Sequence, residues 1–345
     1  MTERSAAGGG IGEEALVPRE HRMPGTRHPV TGRLPDFFIV GQPKSGTTAL
    51  HHMLRRHPQI FLPDNKEPWF FATELHERRP PRPAGTPVTL DEYAALFAAA
   101  APEQRAGEAT PLYLWSHTAA DAIAEVVPDA RIVAILREPA SLLRSLHLQF
   151  LETYIETETD LRRALELEHA RREGRQLPRH TYWPAALTYS EHVRYVEQLR
   201  RYERHFGSER MLVLIYDDYR RDNLAAARSV LRFLEVDDGV PLEPAEVNPT
   251  VGVRSQRVHE IVHALTVGRG PFSQATKRAL KLLVPRRLRR DPWRAAKRRL
   301  LYAEPQPPDE QLMAELRVRY RPEVVALSEY LGRDLVTEWG YDRLP

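Results

Sequence analysis

The chain of 345 residues contains no cysteine, which removes disulfides and cysteine-based zinc sites and is typical of a reducing compartment. It has no apolar run long enough to span a bilayer. The stretch from Met1 to Pro35 is polar and rich in Gly and Pro, without the apolar core of a signal peptide. Residues 1–34 are therefore expected to form a loose tail, and the cytoplasm is the expected location. No internal repeat or low-complexity array is present. His51, His52 and His57 are spaced onto different helical faces, so they read as ordinary surface histidines rather than metal ligands.

What is present is more telling. A chain of this length with 42% hydrophobic residues can bury a large α/β core with insertions. Phe37–Val40 is a short apolar run ending at Gly41, as expected of a buried strand. Ala49, Leu50, Met53 and Leu54 share one helical face, and Pro58 follows as a stop. Between strand and helix lie Lys44, Ser45, Gly46, Thr47 and Thr48. Turn N–H groups and the unpaired donors of a first helical turn converge on an anion in such a place, with the lysine adding a full charge. The plainer alternative, an ordinary Gly/Ser turn, leaves the lysine and three hydroxyls without a packing role.

The loop differs from that of nucleotide triphosphatases. Gly41 and Gly46 have the right separation, but Thr47 stands where a lysine would follow the second glycine. The next strong strand, Ile132–Leu136, is followed by Arg137 and not by an acid that would hold magnesium. A metal-bridged triphosphate is thus disfavoured, and no metal is expected. Pro139 suits a first helical position, and Ala140, Leu143, His147, Phe150 and Leu151 line one face of the helix that follows. Arg137 falls at the carboxyl end of its strand, where open α/β sheets place their ligand crevice. Ser145 lies two turns into the helix, about 10 Å along its axis, so the two could close on one phosphate. A surface arginine and a solvated serine is the competing reading.

Pro43-Lys44-Ser45-Gly46-Thr47-Thr48 after a strand, with Arg137-Glu138-Pro139 and Ser145 eight residues beyond the arginine, resembles the sulfotransferases that use 3′-phosphoadenosine 5′-phosphosulfate (PAPS). Lys66-Glu67-Pro68-Trp69-Phe70-Phe71 and Gly107-Glu108-Ala109-Thr110-Pro111 resemble segments of the bacterial and heparan-sulfate branches. Tyr189–Phe206, expected as a helix from the spacing of Val193, Val196, Leu199 and Tyr202, the strand Met211–Tyr216 with Asp217-Asp218-Tyr219, and Leu327–Trp339 agree with the family's later elements. The resemblance implies a three-layer, P-loop-like α/β fold with a central parallel sheet flanked by helices. It also implies sulfuryl transfer to a hydroxyl or amine, with adenosine 3′,5′-bisphosphate as product.

By the same resemblance, Lys44 and the loop with Ser45, Gly46, Thr47 and Thr48 bind the 5′-phosphosulfate. Arg137 and Ser145 hold the 3′-phosphate, and Arg254 resembles the late arginine that closes over it, an ordinary surface arginine being the alternative. Glu67 is the first choice for general base and His117 the reserve. Two departures stand out: Trp69 sits where His is frequent, and Ala109 replaces a lysine of some relatives. A P-loop kinase and a basic nucleic-acid or membrane-binding module are the rival classes. The expected acceptor is a small molecule or glycan.

One segment breaks the charge balance. Thr276–Leu300 carries eleven basic residues, from Lys277 to Arg299, against Asp291 alone, whereas the whole chain totals +3. Interleaved leucines make it amphipathic, which suits an anionic membrane surface and a membrane-peripheral location, an acidic acceptor, or the donor's entry path. A solvated helical insertion is the alternative; nucleic acid is not an expected partner. The organisation reads as a tail to residue 34 and a single domain over 35–345 with a basic variable stretch at about 262–305. Leu151–Trp183 is expected to be a helical insertion capping the acceptor pocket.

Overall fold

The computed structural model describes residues 32–75, 86–178, 181, 183–244, 252–253, 302–303 and 306–344. The apolar run at Phe37 forms β1 (Phe37–Gly41), followed by α1 (Thr47–Leu54), β2 (Ile60–Phe61), α2 (Leu90–Ala94) and β3 (Arg105–Ala109). Next come α3 (Ala119–Val126), β4 (Arg131–Leu136), α4 (Pro139–Glu152), α5 (Leu161–Glu166) and α6 (Glu168–Arg172). Then follow α7 (Tyr195–Phe206), β5 (Met211–Ile215), α8 (Tyr216–Arg221) and α9 (Asn223–Phe233). A short antiparallel pair, β6 (Gly252–Val253) with β7 (Tyr302–Ala303), precedes α10 (Glu310–Leu331) and α11 (Leu335–Glu338).

Five strands pair in the order β2-β3-β1-β4-β5, all parallel. Parallel strands need crossovers that cover both sheet faces, so their residues are buried on both sides. All of β1 is buried, and so is β4 from Ile132 on. Phe38, Val40, Ile132, Ala134 and Leu136 enter one core with α4, α7 and α10, while Phe37, Ile39, Val133 and Ile135 enter a second with α1 and α9. The side-chain period of two thus divides each strand between two helical layers. The chain leaves β1 toward β3 and β2, then returns to the other side for β4 and β5. That reversal makes the carboxyl ends of β1 and β4 the switch point at which open α/β sheets hold ligands.

Three local expectations are corrected. Tyr189–Phe206 is not one helix: Tyr189–Val193 is a 3₁₀ turn and α7 begins at Tyr195. The carbonyls an unbroken helix would use are taken, since Gln198 Nε2 donates to Glu191 O at 2.7 Å and Gln42 Nε2 donates to His192 O at 3.2 Å. Tyr216 opens α8 and does not end β5. His51 and His57 are buried, not surface residues; His57 sits in a turn with Nε2 2.7 Å from Asp237 O, and only His52 is exposed. In the insertion, α5 and α6 are short and the rest is irregular. Its buried Arg171 and Glu156 form a two-pronged ion pair at 2.6 and 2.8 Å. The Tyr189 hydroxyl lies 3.3 Å from that carboxylate and 2.9 Å from His147 Nδ1, which fixes the insertion to α4.

Candidate active site

The loop after β1 is held rigidly before it meets any ligand. Gln42 N donates to Ile135 O at 2.6 Å, and Gln42 Nε2 donates to Gln198 Oε1 at 2.7 Å. Lys44 (φ 63°) and Gly46 (φ 84°) are left-handed. Gly46 is required twice over, because a Cβ there would also approach Tyr219 Cε1 to 2.7 Å. Leu50 N then bonds Gly46 O at 3.0 Å and α1 begins. No side chain caps this terminus, so its first-turn N–H groups face the loop's concavity.

The second terminus differs. The Glu138 carboxylate caps α4, accepting from Ala140 N at 3.0 Å and Ser141 N at 2.7 Å, and from the Tyr341 hydroxyl at 2.6 Å. The donors of α4 are thereby used internally. What this strand end offers is the side chain of Arg137. Its Nη1 donates to Lys44 O at 3.0 Å, its guanidinium lies 4.8 Å from the Tyr216 ring centre, and its own carbonyl accepts from Tyr195 Oη at 2.6 Å.

Lys44, Gly46, Thr47, Thr48, Glu67 and Arg137 line one cavity of about 480 Å³. Tyr216 and Arg220 extend its basic end, and Trp69, Leu112, Gln149, Phe150, Ile155 and Trp183 form its other wall. Burial pushes the Lys44 ammonium below its usual range; Glu152 opposes that shift and Arg137 adds to it. Glu67 is left-handed (φ 61°), as is Trp69 (φ 54°), and its carboxylate pairs with the Lys66 ammonium. Glu67 N is anchored to Ala109 O at 3.2 Å.

The other expected site residues are not among those lining the cavity. Ser45 is buried and its hydroxyl is 3.5 Å from Pro43 O. Ser145 is buried and does not line the cavity; the face of α4 that does carries Leu146, Gln149, Phe150 and Thr153. His117, the reserve base, is exposed and outside the cavity, with its backbone N–H bonded to Glu74 at 2.8 Å. Arg254 and the basic stretch Lys277–Arg299 lie outside the described residues. Tyr216 and Arg220 were missed, although their place just after a strand at the ligand end was a usable signal. Gln149 and Thr153 were missed too, although they lie one turn apart on the helix that carries Ser145.

Beneath Glu67, the buried Glu108 accepts from Thr110 Oγ1 at 2.6 Å, from the Tyr93 hydroxyl and, at 3.4 Å, from the Tyr113 hydroxyl. Burial pushes its carboxyl up to about 7. Burial pushes His51 and His192 down to about 4. A lowered histidine gives stability that is complete above its unfolded value of 6.5 and is lost as pH falls toward 4. A raised carboxyl acts oppositely, giving stability that is complete below 4.5 and lost as pH rises toward 7. Between pH 6.5 and 4.5 the unfolded chain therefore carries two of these protons and the folded chain one. Unfolding free energy should fall on acidification over this range, with His147, also lowered by burial, acting in the same sense. Glu108→Gln removes the opposing proton, so its stability loss between pH 6.5 and 5 in urea unfolding should be steeper than the wild type's; equal slopes would contradict this account.

A parallel sheet whose middle strand runs into a lysine-bearing, glycine-bent loop and an uncapped helix defines a P-loop-like α/β protein. Residues 35–239, more than half of the chain, match the Sulfotransferase family, and the chain belongs to that family. It is 29% identical over 136 residues to the membrane-associated sulfotransferase kil1 of Dictyostelium discoideum, covering 37% of this chain and 26% of that protein. Over 162 residues it is 29% identical to carbohydrate sulfotransferase 15 of Homo sapiens, covering 34% of this chain and 27% of that protein. The alignments thus span about a quarter of those relatives' lengths. A sulfotransferase from Alicyclobacillus acidocaldarius superposes with a TM-score of 0.61 at 23% identity, over 88% of this chain and 98% of that one, which bears on the fold. Among the described residues, no helix is long and apolar enough to cross a membrane.

Proposed function

We propose that this chain transfers the sulfuryl group of PAPS to a hydroxyl or amine of an acceptor. The observation that carries this reading is the meeting of Lys44 and Arg137 in one cavity, from two adjacent strand ends, with a direct bond from the Arg137 side chain to the Lys44 backbone. The donor set fits a small molecule with separated anionic groups: an ammonium and an open helix terminus on one side, a guanidinium on the other.

Lys44, Thr47, Thr48 and the loop N–H groups hold the 5′-phosphosulfate, and Arg137 takes the 3′-phosphate. Ser145, buried away from the cavity, is not needed for this reading. PAPS supplies an activated sulfuryl group whose leaving group is adenosine 3′,5′-bisphosphate. The acceptor oxygen or nitrogen bonds to sulfur as the sulfur–oxygen bond to the bisphosphate breaks, and the acceptor's proton passes to the Glu67 carboxylate. Lys44 stabilises the charge that gathers on the departing phosphate oxygen.

Thermal shift separates this from a kinase. Adenosine 3′,5′-bisphosphate should raise the melting temperature without added metal, and more than Mg-ATP does. A shift with Mg-ATP and none with the bisphosphate would reverse the assignment.

A further inference from the structure

The apolar residues that line the cavity differ in character from the basic ones, and they bear on the acceptor. Leu112, Leu146, Phe150, Ile155 and Trp183 are all buried there, and the Trp69 and Trp183 rings meet edge-on with centroids 5.3 Å apart. All three arginine and lysine residues among the described lining residues belong to the loop after β1 (Lys44), the end of β4 (Arg137) or the helix α8 that follows β5 (Arg220). The other charged lining residue is the acidic Glu67, and Gln149 and Thr153 add polar groups to the lining. A polyanionic glycan would bring its carboxylates or sulfates against leucine, phenylalanine and tryptophan, and the carboxylate that lines the cavity, Glu67, is already paired with Lys66. Such burial without cationic partners is strongly unfavourable.

The polar atoms on this side also make a specific demand. The Gln149 side-chain oxygen is buried without a hydrogen-bond donor among the described residues, which is unfavourable until a ligand supplies one. A polar hydrogen on the acceptor other than that of the reacting hydroxyl, whose single proton goes to Glu67, supplies the missing donor. Aromatic edges and branched aliphatic groups, in turn, complement a flat apolar body.

Resting on the sulfotransferase reading above, we infer that the acceptor is an uncharged hydroxyl compound with a largely apolar ring body, seated between Trp69, Phe150, Ile155 and Trp183, its hydroxyl directed to Glu67. Anionic glycans are rejected by the same wall.

The test loads the full-length protein with adenosine 3′,5′-bisphosphate, confirms that binding by calorimetry, and then titrates 2-naphthol or chondroitin sulfate while following tryptophan fluorescence and heat. 2-Naphthol should bind and change the tryptophan signal, and chondroitin sulfate should not bind at this site. Trp183→Ala should weaken naphthol binding at least tenfold, with Trp183→Phe recovering most of it, both measured on protein that still takes up the bisphosphate. Failure of the bisphosphate to bind overturns the donor reading itself. Bisphosphate binding without naphthol binding, or with chondroitin sulfate bound in preference, overturns the acceptor inference alone.

Discussion

Lys44→Ala should lower sulfuryl transfer by about 10²–10³-fold, the loss typical of removing one preorganised group that stabilises charge in the transition state. The fold should survive. The ammonium is buried enough for desolvation to push its pKa down, so truncation relieves a cost of folding as it removes the charge. The left-handed backbone at Lys44 is no harder for alanine than for lysine, and the loop's anchors at Gln42 are untouched. Radiolabelled transfer assays should therefore show a large drop in kcat with little change in melting temperature. The lowered pKa adds a second signature, in kcat/KM, which reports the free enzyme: it should begin to fall at a more acidic point than a free lysine's 10.5 would give. Wild-type turnover in Lys44→Ala would remove the loop from the chemistry.

Glu67→Gln should lower kcat by about 10²–10⁴-fold, the range for loss of a positioned general base. Affinity for adenosine 3′,5′-bisphosphate should stay near the wild-type value, because the carboxylate pairs with Lys66. That split between kcat and product affinity separates a proton acceptor from a residue that merely shapes the cavity. Glutamine keeps the size of the side chain and, through its backbone, the bond to Ala109. Full turnover in Glu67→Gln would return the question of the base to other groups. His117 is a poor successor, being exposed and outside the cavity.

The parts legible in the sequence were those where local pattern and function coincide. Phe37–Val40, the lysine-bearing loop and the face at Ala49 and Leu50 form a unit whose spacing alone specifies strand, turn and helix. Pro139 likewise marked the start of α4. Illegible were features set by elements distant in the chain. Spacing placed His51 and His57 off a common face, but the fold buries both. The break before Tyr195 depends on Gln42, more than 150 positions earlier, drawing off the His192 carbonyl. On α4, the periodicity that identified a buried face did not reveal that Ser145 would be covered while Gln149, one turn later, opens onto the cavity. The aromatic wall of Trp69 and Trp183 joins segments more than 100 residues apart, and no local pattern reports such a meeting.

The central claim is that a single molecule is gripped at one end by the loop of Lys44 and at the other by Arg137. Calorimetry of adenosine 3′,5′-bisphosphate and adenosine 5′-monophosphate, each against wild type and Arg137→Ala, tests it as a double-mutant cycle. Removing the 3′-phosphate should cost the wild type at least about tenfold in Kd, as expected for a charge-assisted guanidinium contact, and should cost Arg137→Ala almost nothing. Equal penalties in the two proteins would show that Arg137 and the 3′-phosphate do not meet, and the account would fail.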